Sequence, residues 1–265
     1  MIAMVETEEG CVGDMTQSGE VSFLSPSFRS ASERGGAAFE VKFLLDEQQA
    51  LEVRSWARSH LLPDPHGIPE LQGAYLTHSL YSDTESADVY WRRSGFERRK
   101  YRVRRYGSED WVSLERKSRV GQRVAKRRAI VALADLARLR QSLGDANWSG
   151  QWFVRRLSKS RLRPICQVTY LREAYAGQQE GPVRLTMDRD LQGLMQPEWQ
   201  FVPPLGSRPL LANQVILELK YRSIMPTAFK QLLTDLCLSP AAVSKYRRCR
   251  EAWDPSLLSR GSSDA

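Results

Sequence analysis

Lys100, Arg102 and Arg104 stand at every second position of KYRVRRYG, residues 100–107. Read as a β-strand, a period of two places them with Tyr106 on one face, and Tyr101, Val103 and Arg105 on the other. A strand ordinarily turns an apolar face inward. A row of cations suits either a solvated edge or the wall of a polar interior that binds anions. The chemistry open to such a row is phosphate binding. Guanidinium forks match phosphate oxygens bidentately, and ammonium groups hold them as point charges.

Other strands decide between edge and interior. Alternation marks eight candidates, at 39–45, 75–82, 97–106, 111–117, 124–131, 165–174, 183–189 and 214–221. Six align ionisable residues on one face: Glu40 with Lys42, Arg102 with Arg104, Glu115 with Lys117, Lys126 with Arg128, Arg184 with Asp188 through Thr186, and Glu218 with Lys220. The strand at 165–174 adds Tyr170 beside Arg172. Polar alternation in one strand means little, but its recurrence suggests an antiparallel barrel with a charged lumen. The opposite faces, with Val41, Phe43, Val103, Leu114, Leu217 and Leu219, would pack on helices outside. The fold class expected is α+β: an eight-stranded antiparallel β-barrel with a charged lumen and flanking α-helices.

Asp46 caps a helix running to about His60, and LLPDPHGIP at 61–69 is a proline-rich loop. Residues 85–94 read as a short helix or turn. Helical spacing is expected at 133–143, 150–160 and 225–236, the last opened by Pro226. Residues 190–212, with four prolines, read as loop, and 239–249 as a short helix or loop. Residues 1–36 lack periodicity and read as a disordered leader. Residues 37–254 form one domain, and 255–265 a disordered tail.

The 265 residues carry 39 Lys and Arg against 31 Asp and Glu, a net charge of +8. That balance points to an anionic partner without choosing among nucleic acid, phosphorylated ligand and membrane surface. The cysteines, Cys11, Cys166, Cys237 and Cys249, form no CxxC. The histidines, His60, His66 and His78, form no paired-ligand pattern. Neither set signals a zinc site or a Cys–His nucleophile. No stretch is apolar enough to span a membrane, and the N-terminus has no secretory pattern. The expected compartment is a reducing cytoplasm.

A charged lumen is costly unless filled, since burying an isolated charge costs several kcal/mol or more. Water, a polyanion and a divalent metal would fill it. A carboxylate among cations makes sense if it holds Mg²⁺ or Mn²⁺, which take oxygen ligands from Asp or Glu and from phosphate together.

With these pieces in order, FEVKF, SLYSDT, KYRVRRYG, SLERK, AKRR, VTYLREAY, RLTMD, LELKY and SKY, the chain resembles the vacuolar transporter chaperone (VTC) domain family. That family lies within the triphosphate tunnel metalloenzymes, the CYTH-like superfamily. The resemblance runs from about Phe39 to Arg250 and implies an eight-stranded tunnel barrel. It implies that Lys42, Arg102, Arg104 and Arg172 grip a triphosphate, and that Lys117, Lys126 and Arg128 guide a phosphate chain. Tyr170 would donate a hydrogen bond. Glu218 matches the metal-holding glutamate, and Ser244 with Lys245 a phosphate-gripping pair at the end of the domain. Lys220 and Arg184 join as lumen candidates by alternation. Ser244 could equally be a helix N-cap.

The implied reaction is metal-dependent transfer of a phosphoryl group from ATP to a growing inorganic polyphosphate chain, with Mn²⁺ or Mg²⁺ as cofactor and ATP, pyrophosphate and polyphosphate as partners. The alternatives are a tripolyphosphate or nucleoside triphosphatase at the same site, and a non-catalytic polyphosphate- or nucleotide-binding module. The first strand has ExK, with Ala38 where the hydrolase branch carries a further glutamate, which tilts against hydrolysis. Nucleic acid is not expected, because the cations alternate along strands rather than clustering on a helix. The sensor module and membrane segment of eukaryotic relatives have no counterpart here.

Overall fold

The computed structural model describes residues 35–120, 123–140, 147–177 and 183–260. In chain order the elements are β1 (Gly35–Leu45), α1 (Glu47–His60), β2 (Leu62–Pro63), β3 (Tyr75–Asp83), α2 (Asp88–Trp91), β4 (Arg99–Tyr106), β5 (Trp111–Val120) and β6 (Arg123–Ala132). They continue with α3 (Gln151–Lys159), β7 (Arg163–Ala176), β8 (Arg184–Met195), β9 (Arg208–Pro209), β10 (Val215–Tyr221), α4 (Thr227–Asp235), α5 (Lys245–Trp253) and α6 (Ser256–Arg260).

The long strands run β7-β3-β4-β5-β6-β1-β10-β8, and β8 returns to pair with β7, so the sheet closes on itself. Every pairing is antiparallel. The two-residue strands β2 and β9 hang on β7 and β8. Closure leaves no free edge among the long strands, which settles KYRVRRYG as an interior stave.

The apolar core lies between this ring and the helices outside it. Phe43, Leu45, Leu185, Met187, Leu217 and Leu219 face outward and meet Ala50, Val53 and Ala57 of α1 and Phe229 and Leu232 of α4. On the other flank Tyr101, Val103, Val112 and Leu114 meet Phe153, Val154 and Leu157 of α3. Full burial of each large side chain contributes about 1.5–3 kcal/mol. α1 starts where the sequence places it, because Asp46 and Gln49 form a capping box: Gln49 N donates to Asp46 Oδ1 at 2.8 Å, and Asp46 N to Gln49 Oε1 at 3.2 Å.

Five expectations change or sharpen. Residues 190–195 continue β8 instead of forming a loop. Asp190 takes a left-handed φ of 54° at a shift in the β7–β8 register, and this bulge breaks the alternation that would have revealed the strand. The segment at 133–143 is a 3-10 helix over Leu133–Arg140, with Leu136 and Leu139 buried; its end lies outside the described residues. The segment at 239–249 becomes α5, which starts at Lys245. The expected disordered tail instead begins with α6, whose Leu257 is buried in the core. β1 opens at Gly35, two residues before the expected domain boundary; the rest of the expected leader lies outside the described residues.

α5 packs on β7 and β8 at one end of the ring. Gly193 permits the approach: a Cβ there would come 2.7 Å from Cys249 Sγ and 2.8 Å from a Leu210 methyl. Trp253 Nε1 donates to Gly193 O at 3.0 Å, and Tyr246 OH bonds Asp83 at the end of β3. This docking carries Lys245 into the ring.

Candidate functional site

The inner faces of neighbouring strands stack ionisable residues beside one another. Lys100 on β4 is the register partner of Lys117 on β5, which is the partner of Lys126 on β6. One step along, Arg102 faces Glu115, which faces Arg128. Across the ring, Lys42 of β1 faces Glu218 of β10, and Glu40 faces Lys220. Arg172 of β7 faces Asp188 of β8. Contacts that skip a strand show that all share one interior: Lys117 Nζ donates to both Glu40 oxygens at 2.7 Å, and Arg104 Nη2 to Tyr170 OH at 3.0 Å.

The carboxylates are each surrounded by cations. Glu218 receives Lys42 Nζ at 2.7 Å and Lys220 Nζ at 2.8 Å, with Lys245 Nζ at 3.6 Å. Asp188 is fully buried; it takes Arg172 bidentately at 2.6 and 2.7 Å and Lys245 at 2.5 Å. Glu115 takes Arg102 at 2.7 Å and Lys126 at 2.6 Å. Burial pushes the Glu218 carboxyl up, but Lys220, Lys42 and Lys245 outweigh it and hold it well below the usual range. Burial and Glu218 raise Glu40, yet Lys220, Lys117 and Lys42 bring it down to about 2.

Cations outnumber these carboxylates, and some find only neutral partners. Arg104, buried, donates from Nε to Ser79 Oγ at 3.2 Å as well as to Tyr170. Arg128 donates to Ser113 Oγ at 2.6 Å. Lys100 donates to Ser244 Oγ at 2.8 Å. Burial, and then Lys42, Lys117 and Arg102, push the Lys100 ammonium well below its ordinary pKa. Burial and Lys42 bring Lys117 down to about 8 against the pull of Glu40. Such an interior has unspent positive charge, and an anion with many oxygens would relieve it.

The structure gathers every expected site residue into this interior except Arg184. That side chain lies at the rim, 43% exposed, paired with Asp64 at 2.7 Å. Ser244 does two things at once: its Oγ accepts from Lys100, and it caps α5 by accepting from Arg247 N at 3.3 Å. Lys245 stands over the Tyr170 ring at 4.8 Å. Lys100, the first cation of the alternating row in β4, is absent from the residues that the family resemblance singled out, yet it stands in the same interior. The same period of two that selected Arg102 and Arg104 reaches it, two positions earlier.

Among the described residues no three His, Cys, Asp or Glu side chains cluster as a metal cage. Glu218 remains a single hard oxygen donor in an interior lined with cations. That donor set fits Mg²⁺ or Mn²⁺, which are commonly held by one or two carboxylates with substrate phosphates supplying further oxygens.

The VTC domain profile matches residues 37–253. The chain belongs to the VTC domain family. No curated protein is similar to it in sequence. Among similar solved structures is a candidate adenylate cyclase from Bacillus halodurans, 16% identical, with a TM-score of 0.51 over 79% of this chain and 94% of that one. Another is a candidate adenylyl cyclase from Hippeastrum with dominant triphosphatase activity, 14% identical, TM-score 0.48, over 82% and 96%. A third is the Mimivirus capping enzyme triphosphatase, 12% identical, TM-score 0.37, over 76% and 88%. The Bacillus likeness places the ring of this VTC domain in the triphosphate tunnel fold.

Proposed function

We propose that this VTC domain transfers the γ-phosphoryl group of ATP to the end of an inorganic polyphosphate chain inside the ring. The observation that carries this reading is the arrangement of Lys42, Lys220 and Lys245 around Glu218, with Arg172, Arg102 and Arg104 on the facing walls. Phosphoryl transfer requires in-line positioning and neutralisation of charge on the phosphoryl oxygens, and little covalent participation by protein. A terminal phosphate oxygen of the acceptor bonds to the γ-phosphorus as the bond to the β,γ-bridging oxygen breaks, and ADP leaves.

The residues divide by partner. Arg104 and Arg128, bonded only to hydroxyls, are free in charge to take phosphate oxygens. Lys42, Arg172 and Arg102 can exchange a carboxylate for phosphate. Lys117, Lys126 and Lys100, in register on three adjacent strands, form a lysine row that suits a chain passing over them. Lys220, Tyr170, Ser244 and Lys245 complete the interior, and Arg184 at the rim meets phosphate outside it. Glu218 would hold the divalent ion. When bound, Mn²⁺ or Mg²⁺ supplies charge neutralisation at the phosphoryl oxygens.

Incubating the protein with ATP and Mn²⁺ or Mg²⁺, and resolving products on a gel that separates polyphosphate by length, tests the proposal. Chains that lengthen with time are expected. Orthophosphate alone would replace this reading with a triphosphatase, and bound but unconverted ATP with a binding module.

A further inference from the structure

A second cationic surface lies outside the ring, where α3 packs beside β5 and β6. Arg116 and Arg127 are register partners on the outward face of these strands. Like charges directly opposite one another destabilise a sheet. Arg116 Nε is also buried without a hydrogen-bond partner. On α3, burial of Phe153, Val154 and Leu157 leaves Arg155 and Lys159 exposed one turn apart, another like-charge neighbour pair. Among the described residues, Arg155, Arg156 and Lys159 form no ion pair.

Two hollows meet here. One, of about 450 Å³, is lined by Arg127, Arg155, Arg156 and Lys159 and by no carboxylate. The next, of about 850 Å³, shares Arg156 and Lys159 and adds Arg99, Arg161 and Arg163. Its carboxylates are Glu85, 3.6 Å from Arg163, and Asp88, paired with Arg93 at 3.0 Å. The result is a continuous cationic track on a surface that the tunnel chemistry does not use.

We propose that this track is a second, external site for inorganic polyphosphate. The identity of the polyanion rests on the reading of the tunnel given above. Nucleic acid offers phosphates too, but single strands bind through bases stacked on open aromatic faces. Here the Arg127 guanidinium stands over Trp152 at 4.5 Å and Arg138 over Trp148 at 5.5 Å, and both rings pack against the core. Trp148 and Trp152 line the first hollow, but an arginine already lies over one face of each, so the track offers mainly donors for phosphate oxygens. A long chain can occupy this track, whereas tripolyphosphate has enough charge for the tunnel and too little length to need the outside.

The test compares binding of long-chain polyphosphate, tripolyphosphate and a single-stranded oligoribonucleotide to the full chain. The variants are Arg155→Glu with Lys159→Glu, and Arg104→Ala in the tunnel. The double charge reversal is expected to weaken long-chain polyphosphate by about tenfold or more while leaving tripolyphosphate within about twofold. Arg104→Ala should weaken tripolyphosphate. Unchanged long-chain affinity in the double variant overturns the proposal. So does an oligoribonucleotide that binds as tightly and loses the same factor, which would make the surface a nucleic-acid site. If wild-type protein ignores tripolyphosphate while the double variant still loses polyphosphate, the tunnel reading fails and the external site stands.

Discussion

Lys42 Nζ lies 2.7 Å from Glu218 Oε1, across the β1–β10 pair, and the same carboxylate holds Lys220 at 2.8 Å. Lys245 reaches it from α5 at 3.6 Å. One carboxylate thus keeps three ammonium groups together, each ready to take a phosphate oxygen instead. Glu218→Gln removes that common counter-charge. Breaking a buried pair by removing one partner costs about 3–5 kcal/mol. A lowered urea midpoint is expected, with loss of metal-dependent turnover and retention of metal-free tripolyphosphate binding. Full turnover in the variant would take the metal away from Glu218.

Asp188 makes a separable prediction. It is fully buried and its partners, Arg172 and Lys245, are nearly so. Asp188→Asn leaves both cations without their carboxylate, at a cost of about 3–5 kcal/mol. The same vacancy makes an anion more welcome, so tripolyphosphate should bind more tightly and restore much of the lost stability. Denaturation with and without tripolyphosphate checks both halves. A variant as stable as the parent without ligand would show that the Arg172–Asp188 pair contributes little.

Lys100 should behave in the opposite way. Its ammonium finds Ser244 but no carboxylate, and burial with neighbouring cations disfavours its charge. Lys100→Met keeps the volume and removes the charge. We expect a raised melting temperature, by roughly 2–4 °C for each kcal/mol gained. Tripolyphosphate affinity should fall, since a hydrogen bond to a charged group contributes about 1.5–3 kcal/mol. A variant that is less stable and binds equally well would make Lys100 a structural residue.

The barrel was legible because its inner residues are polar and its outer ones mostly apolar, so period two survives along most of its long strands. Arg102 and Glu218 were found by that rule together with family resemblance. The rule failed at Asp190, where a bulge shifts the phase, and so the far half of β8 read as loop. It also could not supply partners. That Lys117 would meet Glu40 across β6, or that Lys245 would enter from a helix, depends on closure of the ring and on α5 docking over Gly193. Neither leaves a periodic trace. The external track was overlooked for another reason: Arg155, Arg156, Lys159, Arg161 and Arg163 lie close together in the sequence, but a basic run on a helix reads as a solvated face, and only its placement beside Arg127 and Arg99 makes it a track.

The lysine row gives binding and stability opposite responses to alkali. The Lys117 pKa is brought from an ordinary 10.5 to about 8, by burial and then Lys42, with Glu40 opposing. A phosphate ligand favours the ammonium form, so affinity for tripolyphosphate should decline as pH rises through about 8, with proton uptake on binding near that pH. For folding the sign reverses. Between about 8 and 10.5 the unfolded chain holds the Lys117 proton and the folded chain does not, so this residue adds stability as pH rises. Lys117→Arg, which stays charged, should flatten the alkaline decline in affinity. At the acid end Glu40 titrates at about 2 instead of 4.5. Its contribution is present above about 4.5 and is lost as pH falls toward 2. Calorimetric titration from pH 6 to 10, paired with melting curves, reads both slopes; an affinity that holds constant past pH 9 would exclude Lys117 from the phosphate path.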